Sequence, residues 1–566
     1  MSRLYARWRP LLLFALAALL YARTLGGGFV LDDQSAVRDN PIVKRGDLPE
    51  IFSTDYWAGF HQDRSGLYRP LTVWTFALNH RLAGEAPFSY HLVNILLHGA
   101  VAALLCLVWR RCLGQEGLAW WAALLFAVQP ALCEAVAGLV GRADLLAAFF
   151  GLLALHQHLG AGQARWRHGW AAAALLAALL SKESAVVLPP LFLLVDLFQY
   201  RGFLQKCYWR AHLGYAGVVL LYLGLRQLVL GGLFIGQIDA FDNPLAGLDA
   251  PWRWVNALLV LGRYLGLLVL PRSLCADYSF AALPLAPTWS LPALLLALAV
   301  PAGLGLLLWA AWRRLPAAAL GLGWLLIALS PVANLFFPIG TGMAERLLYL
   351  PAAGFALAAA ALLEGLGGRR ATLSSAVLAL GLAWGTWTRS GDWQDEYTLF
   401  SQAVQAQPQS ARAWQVLGNA ALERGEEARG LECLQQALRI FPAYYEVHAD
   451  LGAFYCNKGD YPKAQEHLAR CLELRPDYPP GWYNLGLTWY QQGQRDQARQ
   501  AFARALICDP EYAQAYYNLG VMELEDKQVA PARELFRKAL DLDPEYEAAR
   551  LNLDACETLL QRGPLP

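Results

Sequence analysis

Up to residue 388, long apolar runs alternate with short polar turns; from 389 onward apolar positions recur at helical spacing in a polar background, with no run of membrane length. A membrane-crossing helix needs about 20 predominantly apolar residues. On that basis eleven spans are predicted at about 8–25, 91–109, 118–137, 143–159, 169–181, 184–199, 211–230, 290–311, 317–335, 346–364 and 372–388. The apolar piece 256–270 holds Arg263 between Pro251 and Pro271 and is predicted as a re-entrant or interfacial helix, because a crossing there would put Arg313 and Arg314 on the wrong side of the membrane. The predicted fold is all-α. A polytopic membrane domain over 1–388 carries external loops at 26–89 and 231–288, followed by a junction half-hairpin over 389–408 and a helical array over 409–562.

That array repeats every 34 residues: Pro408, Pro442, Pro476, Pro510 and Pro544; Leu417-Gly418, Leu451-Gly452, Leu485-Gly486 and Leu519-Gly520; Trp414, His448, Trp482 and Tyr516. Gly425, Gly459 and Gly493 mark the turn inside each hairpin, and Lys527 breaks that series. The period and residues match the tetratricopeptide signature, predicting an α-solenoid of four repeats and a C-terminal cap helix. Such stacks present a concave surface suited to extended polypeptide, with Trp414, His448, Trp482 and Tyr516 as candidate acceptor-groove residues. A spacer or dimerisation arm is the other reading.

Charge then sets orientation. Arg3, Arg7 and Arg9 place the N-terminus inside, and basic turns at Arg110/Arg111, Arg165/Arg167, Arg201/Lys206/Arg210 and Arg369/Arg370 fall on alternate loops, as positive-inside orientation requires. The first segment resembles a signal peptide but is expected to stay, since Arg23 occupies the place where processing needs small residues. A net charge of +1 and the lack of a basic patch interleaved with aromatics exclude a nucleic-acid partner. The ten cysteines form no CxxC or Cys/His spacing, so no metal ligand set is expected. His91 and His98 share a face with Asn94 and read as core or headgroup contacts; His156 and His158 read as incidental.

Gly26-Gly27-Gly28 ends the first span, and Asp32 and Asp33 follow where the chain leaves the bilayer. The predicted topology brings four more groups to the same side: Tyr68-Arg69-Pro70-Leu71; Glu134 with Arg142 and Asp144; Ser181-Lys182-Glu183; and Glu345-Arg346 with Tyr349. Ionisable residues at membrane depth mark function, although Lys182/Glu183 and Glu345/Arg346 also read as neighbours that neutralise each other. A carboxylate facing several cations at a bilayer surface suits transfer from a lipid-linked phosphate. The cations hold the leaving phosphate while the acid takes a proton from the acceptor hydroxyl. One base gives inversion; a second carboxylate acting as nucleophile gives retention.

These residues resemble the transmembrane-and-tetratricopeptide O-mannosyltransferase-like family, within the GT-C type of multispanning glycosyltransferases. The resemblance rests on Phe29-Val30-Leu31-Asp32-Asp33, Tyr68-Arg69-Pro70-Leu71, the segment His91 to His98, the segment Glu134 to Asp144, Lys182-Glu183, Ala344-Glu345-Arg346-Leu347-Leu348-Tyr349-Leu350-Pro351 and the junction Asp392-Trp393-Gln394-Asp395-Glu396. It implies a polyprenyl-phosphate monosaccharide donor, mannose by family, and Ser/Thr hydroxyls of a protein acceptor, without a further cofactor. A lipid or surface-glycan acceptor, or a non-catalytic scaffold, are the alternatives. It also implies Asp32 or Asp33 as base, with Asp32 the first of the acidic pair, and Arg69, Lys182 and Arg346 as phosphate ligands. Tyr68, His91, Glu134, Arg142, Asp144, Glu183, Glu345 and Tyr349 would support them. The chain departs from the family at Gln129-Pro130-Ala131-Leu132-Cys133, where histidines are common. The expected location is a bacterial inner membrane with the repeats in the periplasm, or an endoplasmic-reticulum membrane with the repeats in the lumen.

Overall fold

The computed structural model describes residues 2–58, 66–160, 164, 166–199, 209–232, 238–286 and 290–562. Arg165, Arg201 and Lys206 of the basic turns, and the side chains of Arg3 and Arg7, lie outside the described residues. Among the described residues every regular element is helical. The chain divides into two compact units, Met1–Ala413 and Trp414–Pro566, so the junction helix Glu396–Ala406 packs with the first unit.

Five described helices are long and apolar enough to cross a membrane: Pro87–Leu113, Leu139–Leu159, Trp209–Leu230, Leu291–Arg314 and Glu345–Glu364. The pair Glu116–Ala127 and Pro130–Ala137, bent by 58°, makes a sixth if taken as one span. The eleven predicted runs thus give five or six helices that qualify by length and composition. Hydropathy reads straight across breaks that the backbone observes. The runs 169–181 and 184–199 become Arg167–Ser181 and Leu188–Gln199, of 15 and 12 residues, separated by a short 3-10 helix at Glu183–Val187. Trp8–Leu20 and Pro316–Leu329 are apolar but short. The piece placed at 256–270 belongs to a continuous helix, Ala250–Val269.

Pro87–Leu113 is the hub of the first unit, touching Ser2–Leu20, Glu116–Ala127 and Arg142–Leu159. Small residues allow the closest approaches, as in membrane bundles generally. A Cβ on Gly99 would lie 2.9 Å from the Phe14 carbonyl oxygen, and one on Gly321 would lie 2.5 Å from that of Gly354. The second approach brings Pro316–Leu329 against Tyr349–Glu364 and seats Trp324 beside Trp109, with ring centroids 5.2 Å apart.

The second unit follows the 34-residue period. Its hairpins are Ala411–Glu423 with Glu427–Ile440, Tyr445–Asn457 with Tyr461–Leu474, Pro479–Gln491 with Arg495–Cys508, and Ala513–Glu525 with Val529–Leu542, followed by Glu547–Arg562. The glycine of each Leu-Gly step faces the partner helix: a Cβ on Gly452 would meet Leu468 at 2.5 Å, and one on Gly486 would meet Phe502 at 2.7 Å. Ala437, Ala505 and Ala539 are fully buried, as the pattern requires, and Cys471 takes the equivalent place in the second hairpin. Gly425, Gly459 and Gly493 turn with φ of +80°, +75° and +76°; Lys527 adopts the same left-handed conformation at +62°.

Candidate active site

Each predicted charged group sits at a helix break. Asp32 and Asp33 precede a single π turn at Gln34–Arg38, Glu134 lies on the five-residue helix Cys133–Ala137, Lys182 and Glu183 open a 3-10 helix, and Glu345–Leu348 is another 3-10 turn. Irregular backbone at membrane depth is tolerated where it is enclosed by protein or lines a cavity. Pro130 removes a helix donor and turns the chain, and that bend brings Glu134 to the same pole of the unit as Arg346.

The pairs are not between sequence neighbours, and this corrects the self-neutralising reading. Arg346 donates from Nη1 to Glu134 at 2.8 Å and from its main-chain N–H to the other Glu134 oxygen at 2.9 Å. Arg69 donates to Glu183 through Nε at 2.8 Å and Nη2 at 2.5 Å. Lys182 Nζ lies 2.6 Å from Asp144. Glu345 turns the other way, accepting from Cys275 N at 2.6 Å and Tyr278 Oη at 2.8 Å, with Arg389 at 4.0 Å. Consecutive residues in a tight 3-10 turn point in different directions, so chain neighbours find different partners. The fields of Asp32, Asp144 and Arg69 all reach Arg346, which makes Asp32, Arg69, Glu134, Asp144, Lys182, Glu183 and Arg346 one cluster. The bonds to Glu183 and Glu134 engage neither Nη1 of Arg69 nor Nε and Nη2 of Arg346. Burial alone would raise Glu183, but Arg69 overrides it and holds that carboxyl down at about 2.

The two aspartates differ sharply. Asp32 is 47% exposed at its side chain, with Oδ2 4.0 Å from Arg346 Nη1. Asp33 is wholly buried and accepts from the main-chain N–H of Val140 at 2.9 Å and Val30 at 3.4 Å. Burial pushes its carboxyl up to about 7, against the pull of those N–H donors, with Asp32 adding a smaller upward push. Asp33 pins the loop to the wall; Asp32 faces outward beside a cation.

Several supporting candidates build the walls rather than the cluster. Arg142 is fully buried, donating to Asn94 at 2.9 Å, Asn79 at 2.6 Å and the Tyr90 carbonyl at 2.9 Å, under the ring of Phe76. His91 Nε2 is 3.3 Å from the Gly28 carbonyl oxygen, and Tyr68 donates to the Phe52 carbonyl at 2.9 Å. Tyr349 meets His98 Nδ1 at 2.8 Å. In the second unit Trp414, His448, Trp482 and Tyr516 are half-buried. Trp482 Nε1 donates to the Pro476 carbonyl at 2.8 Å, and His448 Nε2 lies 3.4 Å from that of Pro442, so these two lock the turn before their own helix.

One residue was visible in the sequence only as part of the junction. Glu396 accepts from the Leu31 N–H at 3.0 Å and from Gln34 Nε2 at 3.1 Å, while Gly28 N–H donates to the Gln394 carbonyl at 2.9 Å. Leu31 stands at φ +54°, a left-handed conformation costing roughly 1–2 kcal/mol for an L-residue. Such strain persists where surrounding contacts over-determine it. Here Glu396 supplies the contact, one residue before Asp32.

A tetratricopeptide repeat model matches residues 389–445, 455–512 and 490–547. Over 449 residues the chain is 31% identical to "Protein O-mannosyl-transferase F38B6.6" of Caenorhabditis elegans, covering 77% of this chain and 63% of that one. It is 30% identical over 513 residues to "Protein O-mannosyl-transferase Tmtc3" of Drosophila melanogaster, covering 76% and 55%, and 30% identical over 497 residues to "Protein O-mannosyl-transferase TMTC4" of Mus musculus, covering 75% and 65%. The chain therefore spans less than two thirds of the length of these relatives. The fold and these likenesses define a helical protein with membrane-length apolar helices and a tetratricopeptide array. Over about three quarters of its length the chain is similar to the TMTC O-mannosyl-transferases, the family its motifs suggested.

Proposed function

We propose that this chain transfers a monosaccharide, mannose by family likeness, from a polyprenyl-phosphate donor to Ser or Thr hydroxyls of a polypeptide. The outward-facing Asp32 beside Arg346, at one pole with Arg69 and Lys182, is the observation that carries the reading. Asp32 takes the proton of the acceptor hydroxyl as its oxygen bonds to the sugar C1. The C1–O bond to phosphate breaks, and the electron pair leaves with the polyprenyl phosphate. Arg69 Nη1, Arg346 Nη2 and Lys182 are the donors assigned to that phosphate. With Asp33 tied to Val140, one carboxylate acts at the reacting centre, which favours inversion. The membrane domain is then of the GT-C type with eleven crossings, counting the short helices, and 26–89 and 389–566 lie on the non-cytoplasmic side of a bacterial inner or endoplasmic-reticulum membrane. The repeats bind extended acceptor polypeptide, and the transfer site takes no cofactor or metal of its own.

The test is transfer of labelled sugar from a polyprenyl-phosphate donor by purified protein, with mass spectrometry of the acceptor. Asp32→Asn should lower turnover by about 10²–10⁴-fold, the usual contribution of a general base, at similar donor affinity. Undiminished turnover removes Asp32 from the mechanism. Sugar found on a lipid or glycan instead of protein replaces the acceptor.

A further inference from the structure

His158, Asp196 and His212 come together from three separate helices, Arg142–Leu159, Leu188–Gln199 and Trp209–Leu230. His158 Nε2 lies 3.0 Å from one Asp196 oxygen and His212 Nε2 lies 2.9 Å from the other. All three donor atoms fall within 4.8 Å of one another. Neither histidine spacing nor local sequence reveals the group, because its members are 38 and 16 positions apart.

The group is remote from the candidate active site. Asp144 and His158 occupy the same helix, 14 residues apart, which is about 21 Å of helical rise. Its surroundings are dry: His158 and Asp196 are almost fully buried, and the Phe192 ring stacks on His158 at 5.7 Å. Among the described residues the ion-pair partners of Asp196 are the two histidines, with no lysine or arginine. A carboxylate withdrawn from water needs partners for its charge and lone pairs, and the two imidazoles supply them here, one on each oxygen.

We propose that His158 Nε2, Asp196 and His212 Nε2 bind a divalent ion of the zinc class. The two-nitrogen, one-oxygen donor set suits such an ion. With metal–ligand bonds of about 2.0–2.2 Å in tetrahedral geometry, neighbouring donors stand roughly 3.3 Å apart; the three donors here already lie within 4.8 Å of one another, with the imidazoles on different Asp196 oxygens, so side-chain rotation is what brings them onto one ion. Tyr215 Oη sits 3.0 Å from His158 Nδ1 and 3.2 Å from His168 Nδ1. That contact fixes the His158 ring with Nε2 toward the centre, the arrangement that orients metal-bound histidine generally. His212, 11% exposed at its side chain, is the most accessible of the three. The ion ties three helix ends together, a structural staple separate from the transfer chemistry.

The test uses the full chain in detergent or nanodiscs, stripped with chelator and reloaded with Zn²⁺ or Co²⁺. The expected result is one ion per chain, a raised thermal midpoint on Zn²⁺ addition, and the intense visible absorption of tetrahedral cobalt. Asp196→Asn and His212→Gln should each weaken binding by at least tenfold; if Asp196→Asn does not fold, His212→Gln at the rim decides. A wild-type chain that holds no more Zn²⁺ than the His212→Gln variant overturns the proposal. The three side chains are then a hydrogen-bonded triad and nothing more.

Discussion

In the second unit Arg495 pairs with Glu525 and Asp526, Arg470 with Glu473 and Lys463 with Asp460, all on the surface and within or between neighbouring helices. In the first unit Arg346, Arg69 and Lys182 reach carboxylates 212, 114 and 38 positions away, and most of those groups are withdrawn from water. Exposed pairs contribute about 0–1 kcal/mol each and tolerate loss of a partner. A buried charge stripped of its partner has no water to replace it. The same residue types therefore act as solvated decoration in one region and as fixed machinery in the other.

The sharpest way to break this contrast is to remove Glu134. Glu134→Ala deprives Arg346 of two hydrogen bonds and leaves its charge facing Asp32 at 4.0 Å and the more distant Asp144. The expected loss is about 3 kcal/mol, the low end for a broken buried pair, because the Arg346 side chain is itself about a third exposed. Thermal unfolding of the purified chain reads it. Arg495→Ala in the second unit should cost less than about 1 kcal/mol, and equal losses would erase the distinction.

A smaller effect comes from Asp33, whose carboxyl is raised to about 7 by burial. The folded chain then holds a proton that the unfolded chain releases above about pH 4. The folded state binds more protons between about pH 4 and 7, so this group's contribution to stability falls as pH rises through that window and levels off above it. Asp33→Asn removes the slope while its amide oxygen still accepts from Val140. The difference in thermal midpoint between variant and wild type should move in the variant's favour from pH 5 to 7.5. A constant difference across that range would mean that Asp33 is ionised throughout.

The contrast also explains what the sequence disclosed. The solenoid was legible because each contact lies within one or two periods, so Gly452 against Leu468 is already implied by the 34-residue spacing. The residue types of the charged pole were legible too, since ionisable groups stand out among apolar runs. Their pairing was not. Lys182 next to Glu183 looks like a pair in one dimension, and only the fold sends one to Asp144 and the other to Arg69. The same limit hid the asymmetry of Asp32 and Asp33, which depends on where Val140 lies. It also hid the role of Glu396, 365 positions from Leu31.

Glu396 gives a finer test of long-range fixing. Glu396→Gln keeps the size and one acceptor oxygen but loses the charge that strengthens the bond to Leu31 N–H, charge-assisted bonds being roughly twice as strong as neutral ones. Turnover should fall by about tenfold, for about 1.4 kcal/mol of lost positioning, and Glu396→Ala should fall further. Donor affinity should hold in both, because the phosphate cations are untouched. Loss of donor binding with unchanged turnover would make Glu396 part of the donor pocket and not a support for the loop.

The smallest effect lies in the second unit, at the one turn where the repeat departs from its own rule. Lys527 occupies the left-handed position that glycine fills at 425, 459 and 493. A side chain there costs roughly 1–2 kcal/mol, while glycine gives back about 0.4–1 kcal/mol through the freedom of the unfolded chain. Lys527→Gly should therefore stabilise the hairpin Ala513–Glu525 with Val529–Leu542 by up to about 1 kcal/mol. In a solenoid each repeat exchanges energy mainly with its neighbours. Amide exchange should slow by up to about fivefold in residues 513–542, fade toward the second hairpin, and leave residues 87–159 of the first unit unchanged. Exchange that slows equally in both units would show that the two share one cooperative transition. Faster exchange in 513–542 would show that the Lys527 side chain stabilises the turn by more than its backbone strain costs.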